Sequence, residues 1–451
     1  MKSFFTRKLN SKKHLEAASN TIWLLGDRIF RLGIGLFISS WIARFLGVND
    51  YGTLSYTLAL SAIIQPFAKL GIDDIVIKEL SISPLKEKQI LCTALVLKFI
   101  GSCFNLLLLV LVVSYLNPND HIIFSMVVIL AFVNFFQSLD VIDLWFRSQI
   151  KSKLVVLSKG LGFLCFVLLN IFLIFQSFPL TAFAISYLLD SFVSACALLT
   201  FYLIYKKERK SNDIPNISTI WQFSLPLAKS FLKKGLPIVF AGLAISVYMK
   251  VDQLMLGTIL NSKSVGIYAV VVRLSEAWYF IPTVLVSSLS PYIYEAKLLN
   301  KEIYYSRIKR LIQLVILVAL LASVFISLVS PYIVQILFGS EYLEAAPIIS
   351  LYVWSSIFVV VGVASSPWFI AENLTHFSAI KTFLGALLNA ALNFIWIPKY
   401  GIWGATWATI LSQFLASFMA NSFHSKTRVI FNLQLQSIIS LYRFRIKELR
   451  K

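Results

Sequence analysis

The chain has 451 residues, 58% of them hydrophobic and only 14% charged, with a mean hydropathy of +0.79. A soluble domain carries roughly 25% charged residues, so a single soluble globular domain is excluded. The formal charge of +20 would suit nucleic acid in a soluble chain. In a membrane chain it marks cytoplasmic loops instead, and no nucleic-acid partner is expected.

The apolar residues come in blocks of about 20, enough at ~1.5 Å per residue to cross a ~30 Å hydrocarbon layer. Backbone groups in lipid must be satisfied within the segment, so the blocks are helices and the fold class is all-α. The first 16 residues are polar and basic, with no small-residue cleavage site before the first block. No cleavable signal peptide is expected. The predicted spans are 17–42, 52–70, 89–114, 121–146, 154–177, 180–205, 235–259, 265–291, 309–330, 346–370, 377–397 and 402–424. The short apolar stretch Pro331–Phe338 reads as a stub helix at the outer surface. Cys92, Cys103, Cys165 and Cys196 lie inside apolar blocks without metal-ligand or CxxC spacing. Neither a disulfide framework, a metal site nor a cofactor is expected.

Orientation follows from the basic residues. With these spans, 31 Lys and Arg fall on the side of the N-terminus, against Arg44, Lys263 and Lys399 on the other. The basic side is cytoplasmic, so an even number of spans puts both termini there. Trp41, Trp396 and Trp403 then sit near the outer interface, and Trp145, Tyr202 and Tyr205 near the inner one.

The longest hydrophilic connection divides the chain. The expected organisation is a six-helix lobe over 1–210, a cytoplasmic linker with an interfacial helix over 211–234, a second six-helix lobe over 235–425, and a basic amphipathic tail over 426–451. A weak repeat agrees: Leu46-Gly-Val-Asn-Asp-Tyr-Gly52 follows the first span and Leu260-Asn-Ser-Lys-Ser-Val-Gly266 follows the seventh. Two even-numbered halves share one orientation and are related by an axis along the membrane normal. In the tail, Leu435, Ile438, Ile439, Tyr442, Ile446 and Leu449 recur at helical spacing among basic residues. That helix either lies on the cytoplasmic leaflet or docks on the bundle, and the same two options hold for Ile217–Phe231.

The informative residues are ionisable groups inside the spans, each costing roughly 2.5–3.5 kcal/mol or more if it faced lipid at the bilayer centre. They are Asp27, Arg28, Arg31, Lys98, Asp140, Asp143, Lys159, Asp190, Lys250, Asp252, Arg273, Glu276 and Lys381. Asp27 with Arg31, and Arg273 with Glu276, are spaced to pair along one helix face. Asp140, Asp143, Lys159 and Lys381 lie near inner ends and are placed to snorkel. Arg28, Lys98, Asp190, Lys250 and Asp252 have no local partner. Asn20, Asp27, Arg28 and Arg31 form one polar stripe on the first helix. Such groups either pair structurally or line a water-filled path. Trp278 and Tyr279, mid-span beside Glu276, either stack on a sugar ring or pack.

Arg44-Phe-Leu-Gly-Val-Asn-Asp-Tyr-Gly52, Leu70-Gly-Ile-Asp-Asp74 with Lys78-Glu79, Lys250-Val-Asp-Gln-Leu-Met-Leu-Gly257 with Val265-Gly-Ile-Tyr268, and Ile397-Pro-Lys-Tyr-Gly-Ile-Trp-Gly-Ala-Thr406 carry a resemblance. Over nearly the whole chain, the sequence resembles the lipid-linked oligosaccharide (O-antigen and related polysaccharide) flippases of the multidrug/oligosaccharidyl-lipid/polysaccharide exporter superfamily. The resemblance implies two six-helix lobes around a central cavity in the bacterial inner membrane. It implies no enzymatic activity. The implied cargo is an undecaprenyl-pyrophosphate-linked oligosaccharide, with membrane lipids and other polysaccharide-assembly proteins as further partners. Arg28, Arg31, Lys98, Lys250 and Arg273 are then the substrate-binding candidates, since a pyrophosphate needs fixed cations. Asp27, Asp190, Asp252 and Glu276 are candidates for carrying a coupling proton or sodium ion. Two rivals remain: a drug or metabolite exporter of the same superfamily, and a membrane glycan polymerase. The latter has little to build an active site from, because the outward loops are short and His121 and His376 stand alone.

Overall fold

The computed structural model describes the backbone of residues 2–211 and 222–448, and the side chains of 23, 26–207 and 222–440. The side chain of Asn20, the 217–221 part of the expected interfacial helix, and the side chains of the tail from Tyr442 onward lie outside what is described. Fifteen α-helices and no strands occur among the described residues. In chain order they are α1 (Lys2–Lys69), α2 (Asp73–Ile82), α3 (Glu87–Leu116), α4 (His121–Gln137), α5 (Val141–Ser148), α6 (Ser152–Phe175), α7 (Leu180–Ser211) and α8 (Leu225–Ile259). The series continues with α9 (Ser262–Glu276), α10 (Phe280–Leu299), α11 (Lys301–Leu337), α12 (Ala345–Tyr352), α13 (Ser356–Ala371), α14 (Thr375–Ser417) and α15 (Arg428–Glu448).

Ten helical stretches among the described residues are long and apolar enough to cross a membrane. Two of them, Gly26–Ile82 with 57 residues and Thr375–Ser422 with 48, are more than twice as long as a span needs. Each is divided into two long helices at a glycine with a positive φ, Gly47 (72°) and Gly401 (58°), a conformation that glycine adopts without a Cβ penalty, and the first turns once more at Leu70–Gly71 before α2. Each stretch therefore supplies two crossings, which brings ten to the twelve expected. The stub helix expected at Pro331–Phe338 is not formed. Helix α11 runs unbroken through Pro331 to Leu337, and Ser330 ties its end to the Ala346 carbonyl at 3.2 Å.

The contacts divide the chain into two compact units. The first comprises Met1–Phe45 with Thr57–Ser246, and the second Leu46–Tyr56 with Val247–Lys451. In the first unit, α2, α3, α5 and the ends of α7 and α8 share a core of Ile72, Leu80, Leu97, Trp145, Tyr202 and Phe231. Helix α3 is built inside out relative to a soluble helix. Lys98, Ser102 and Asn105 are buried on one face, while Phe99, Phe104, Leu107 and Leu111 are exposed on the others. Polar groups collect inward and apolar ones outward when the surroundings are lipid.

In the second unit, α10, α11, α13 and α15 pack around Ile293, Ile308, Ile312, Val360, Trp368 and Ile430. Helix α15 docks on this bundle through Ile430, Leu433, Gln434 and Ser437, all buried. Gln434 donates to Ser365 Oγ at 2.8 Å and accepts from Asn421 at 3.2 Å. Its Leu435, Ile438 and Ile439 face outward. Residues 225–231, expected to be interfacial, are the first turns of α8. Ala228 and Phe231 are buried in the core of the first unit, and the Ser224 N–H donates to Thr93 Oγ1 at 3.1 Å.

The two repeat segments meet within the second unit. A Cβ on Gly52 would lie 1.8 Å from the Ser262 carbonyl oxygen, and one on Gly266 would lie 2.2 Å from that of Val48. The repeat is thus a pair of turns packed backbone to backbone, clasped by Thr53 Oγ1 donating to Ser262 Oγ at 3.1 Å.

Candidate functional site

A polar pocket of about 350 Å³ lies inside the first unit. Close helix packing creates it. Leu70 and Gly71 turn the chain between α1 and α2 with positive φ of 54° and 61°. The turn nests on Gly235, where a Cβ would come within 2.4 Å of the Leu70 carbonyl oxygen. Gly101 likewise brings α3 close to the end of α1, its Cβ position lying 2.9 Å from the Phe67 and Ala68 carbonyl oxygens. One turn before Gly101, Lys98 therefore faces the start of α2, and its Nζ meets Asp73 Oδ1 at 2.6 Å. Lys98 is only 4% exposed, so the ion pair replaces the hydration that a buried ammonium loses.

The opposite wall comes from α5 and α6. Arg147 grips Asp143 with two parallel bonds, Nε to Oδ1 at 2.6 Å and a second guanidinium nitrogen to Oδ2 at 2.9 Å. Lys159 Nζ donates to Asp143 Oδ2 at 2.7 Å and reaches Asp140 Oδ2 at 3.5 Å. Asp140, Asp143 and Lys159 were expected to snorkel. They are instead bonded to one another, because the irregular turn at Ser138–Asp140 aims both carboxylates at α6. Lys69 and Asp74 complete the charged lining. Among the described residues Lys69 makes no ion pair. Four cations (Lys69, Lys98, Arg147, Lys159) thus face four anions (Asp73, Asp74, Asp140, Asp143). A pocket of balanced, alternating charge holds water and hydroxyl-bearing groups better than it holds a bare ion.

The remaining candidates of this unit lie on α1 and α7. Arg31 is bonded to Asp27 at 2.9 Å, as their spacing predicts, and its guanidinium covers the Phe163 ring at 5.0 Å. Arg28 is exposed. Asp190 accepts from Ser194 Oγ at 3.4 Å and lies within the electrostatic reach of Arg31.

In the second unit Asp252 is the most enclosed acid, 4% exposed. Tyr268 Oη at 2.7 Å and Thr409 Oγ1 at 2.6 Å donate to one oxygen, and Asn393 Nδ2 donates to the other. All three donors are neutral. Asn393 Oδ1 and Asn389 Nδ2 beside it have no hydrogen-bond partner among the described residues. Glu276 accepts from Tyr352 Oη at 3.1 Å and lies within the electrostatic reach of Lys250, and Arg273 is exposed. Lys381 does not snorkel either. It donates to Asn421 Oδ1 at 3.2 Å over the face of Phe369. Trp278 is buried in the core with Tyr279 set edge-on against it, so it packs rather than presenting a face to a sugar. Lys69 and Arg147 were counted among the basic residues of the N-terminal side, Asp73 and Asp74 entered only through the segment Leu70–Asp74, and Asn389, Asn393 and Thr409 were missed. Two asparagines four apart in an apolar span were the signal available for the latter.

The fold and its buried charges define a class, the multi-pass helical membrane proteins. Solved structures similar over nearly the full chain include an inward-facing multidrug resistance MATE family transporter of the MOP superfamily (TM-score 0.69, 15% identity, 92% of this chain and 95% of that one). The lipid II flippase MurJ in an inward closed conformation is also similar (TM-score 0.67, 16% identity, 95% and 93%). So is the eukaryotic MATE transporter AtDTX14 (TM-score 0.62, 13% identity, 94% and 99%). A search of curated proteins finds no match. A family model described as polysaccharide biosynthesis protein matches residues 41–347. The chain belongs to that polysaccharide biosynthesis family.

Proposed function

We propose that the protein is a flippase for undecaprenyl-pyrophosphate-linked oligosaccharide repeat units. It moves them across the bacterial inner membrane by alternating access, for O-antigen or other surface polysaccharide. The observation that carries this reading is the density of charge inside spans of a polysaccharide biosynthesis family member. Such charge is retained in a bilayer where a polar cargo must pass. The termini lie in the cytoplasm in this reading, on the strength of the basic-residue asymmetry. Arg28, Arg31, Lys98, Lys250 and Arg273 are the cations proposed to meet the anionic headgroup, and the prenyl chain stays on the lipid-facing side.

Deletion is expected to remove surface polysaccharide and to accumulate lipid-linked repeat units inside the cell. Normal surface polysaccharide in the deletion strain would overturn the proposal. Because Arg31 already serves Asp27, Arg28→Ala is the cleaner test of cation recognition. It should lower repeat-unit transport in vesicles about tenfold, the loss of ~1.4 kcal/mol of interaction, without altering drug resistance. Lost drug resistance with normal glycan would favour the exporter.

Asp252 is the strongest coupling candidate of the four acids, since three neutral donors hold its carboxylate. Asp252→Asn should leave a folded protein whose transport in vesicles no longer responds to the gradient that drives the native protein. Native transport indifferent to both proton and sodium gradients would remove the coupling role.

A further inference from the structure

A second cavity in the first unit, about 640 Å³, runs between α1 and α6 and is almost wholly apolar. Trp23, Gly26 and Phe30 of α1 lie on one helix face by their spacing of three and four. Leu157, Gly160 and Leu164 do the same on α6. The wall from Val156 to Leu164 follows about 12 Å of helix at 1.5 Å per residue. Trp23, Phe30, Leu157 and Leu164 are all exposed, so the groove opens laterally. Asp27 is the one charged residue in its lining, and it is neutralised by Arg31.

Three features say what fits there. First, Gly26 and Gly160 both have open space where a Cβ would stand. Each widens its wall of the groove beyond what a straight acyl chain needs, which suits a methyl-branched chain. Second, aromatic rings stand in the lining: Trp23 and Phe30 on α1, and Phe201 on α7 beside them. Third, positive charge gathers at one mouth. Lys153 Nζ lies 5.3 Å from the Trp23 ring centroid, Lys151 precedes it, and the 24-residue α6 begins between them at Ser152. The helix dipole adds to the lysines in favouring an anion there.

We propose that this groove is the docking site of a polyprenyl diphosphate lipid, with the branched chain between α1 and α6 and the diphosphate at Lys151 and Lys153. The proposal rests on the reading of the cargo as prenyl-linked and adds the place where the lipid is held. The groove lies within the first unit and holds the lipid before its headgroup crosses.

The test is photolabelling of the full chain in phosphatidylethanolamine and phosphatidylglycerol vesicles with a diazirine-bearing undecaprenyl diphosphate. Labelled peptides spanning Trp23–Phe30 or Leu157–Leu164, competed by unlabelled undecaprenyl diphosphate and not by added phosphatidylglycerol, support the site. Gly160→Leu fills the groove and should reduce that labelling about tenfold, while Gly160→Ala should preserve it. Both variants are checked for monodispersity in detergent, and Lys153→Glu gives a second, charge-based reduction without filling the groove. Competable labelling confined to other segments overturns the groove and leaves the transport reading standing. Equal competition by phosphatidylglycerol overturns it in favour of an ordinary membrane lipid. No competable labelling anywhere overturns both.

Discussion

Gly52→Ala is expected to abolish recovery of folded protein. The new methyl group would sit 1.8 Å from the Ser262 carbonyl oxygen and 2.9 Å from the Gly266 nitrogen. Both neighbours are backbone, so no side chain can turn aside and one helix end must move away from the other. Overpacking typically costs about 1–3 kcal/mol, and a backbone obstacle places this substitution at the upper end or above. That is a large share of the roughly 5–15 kcal/mol by which folded proteins exceed their unfolded states. Gly266→Ala should behave alike, since its methyl group would meet the Val48 carbonyl oxygen at 2.2 Å. The double variant should cost less than the sum, because a single separation of the two turns relieves both clashes. Yield of monodisperse protein and its Tm in detergent are the measurements. Gly33→Ala, with open space at its Cβ, is the control and should match the native protein. A Gly52→Ala protein with native Tm would show that the two turns are not packed as described.

Asp143→Asn is the second large effect. Asp143 is buried and holds both Arg147 and Lys159. Removing one partner of a buried pair costs about 3–5 kcal/mol, because the other charge is left uncompensated. Here Arg147 and Lys159 keep 42% and 30% of their side-chain surface accessible, so both can turn partly to water. The expected loss is therefore near the lower end, about 3 kcal/mol. A companion change, Lys159→Met, should restore part of the loss in the Asp143→Asn background by removing the stranded ammonium. Lys206→Ala is the contrast. Its bond to Glu87 at 3.1 Å leaves the carboxylate 20% accessible, against 3% for Asp143, so the stranded charge is partly hydrated and the loss falls toward the surface-pair range, about 1 kcal/mol. If Asp143→Asn lowered Tm no more than Lys206→Ala, the cluster would not be holding α5 to α6.

Class and span number were legible in the sequence, and so was the turn at each end of the repeat. These properties depend on runs of residues near one another in the chain. A block of 20 apolar residues commits to a helix in lipid wherever it lies in the fold. The Asp27–Arg31 bond was legible for the same reason, since a separation of four on a helix fixes the geometry. Spacing could not foresee the bond from Tyr352 to Glu276, because the two residues lie 76 positions apart.

What the sequence by itself determined is a twelve-span membrane helix bundle with its charges gathered inside and its family signature intact. Only the tertiary structure decided where those charges go. Lys98 finds Asp73 because Gly101 lets α3 touch the end of α1, and because Gly71 and Gly235 let the next turn fold back. Asp143 becomes the hub of a cluster because an irregular turn aims it at α6. Each of these contacts joins different helices. It is set by how closely backbones approach at a few glycines, and no local periodicity encodes that distance.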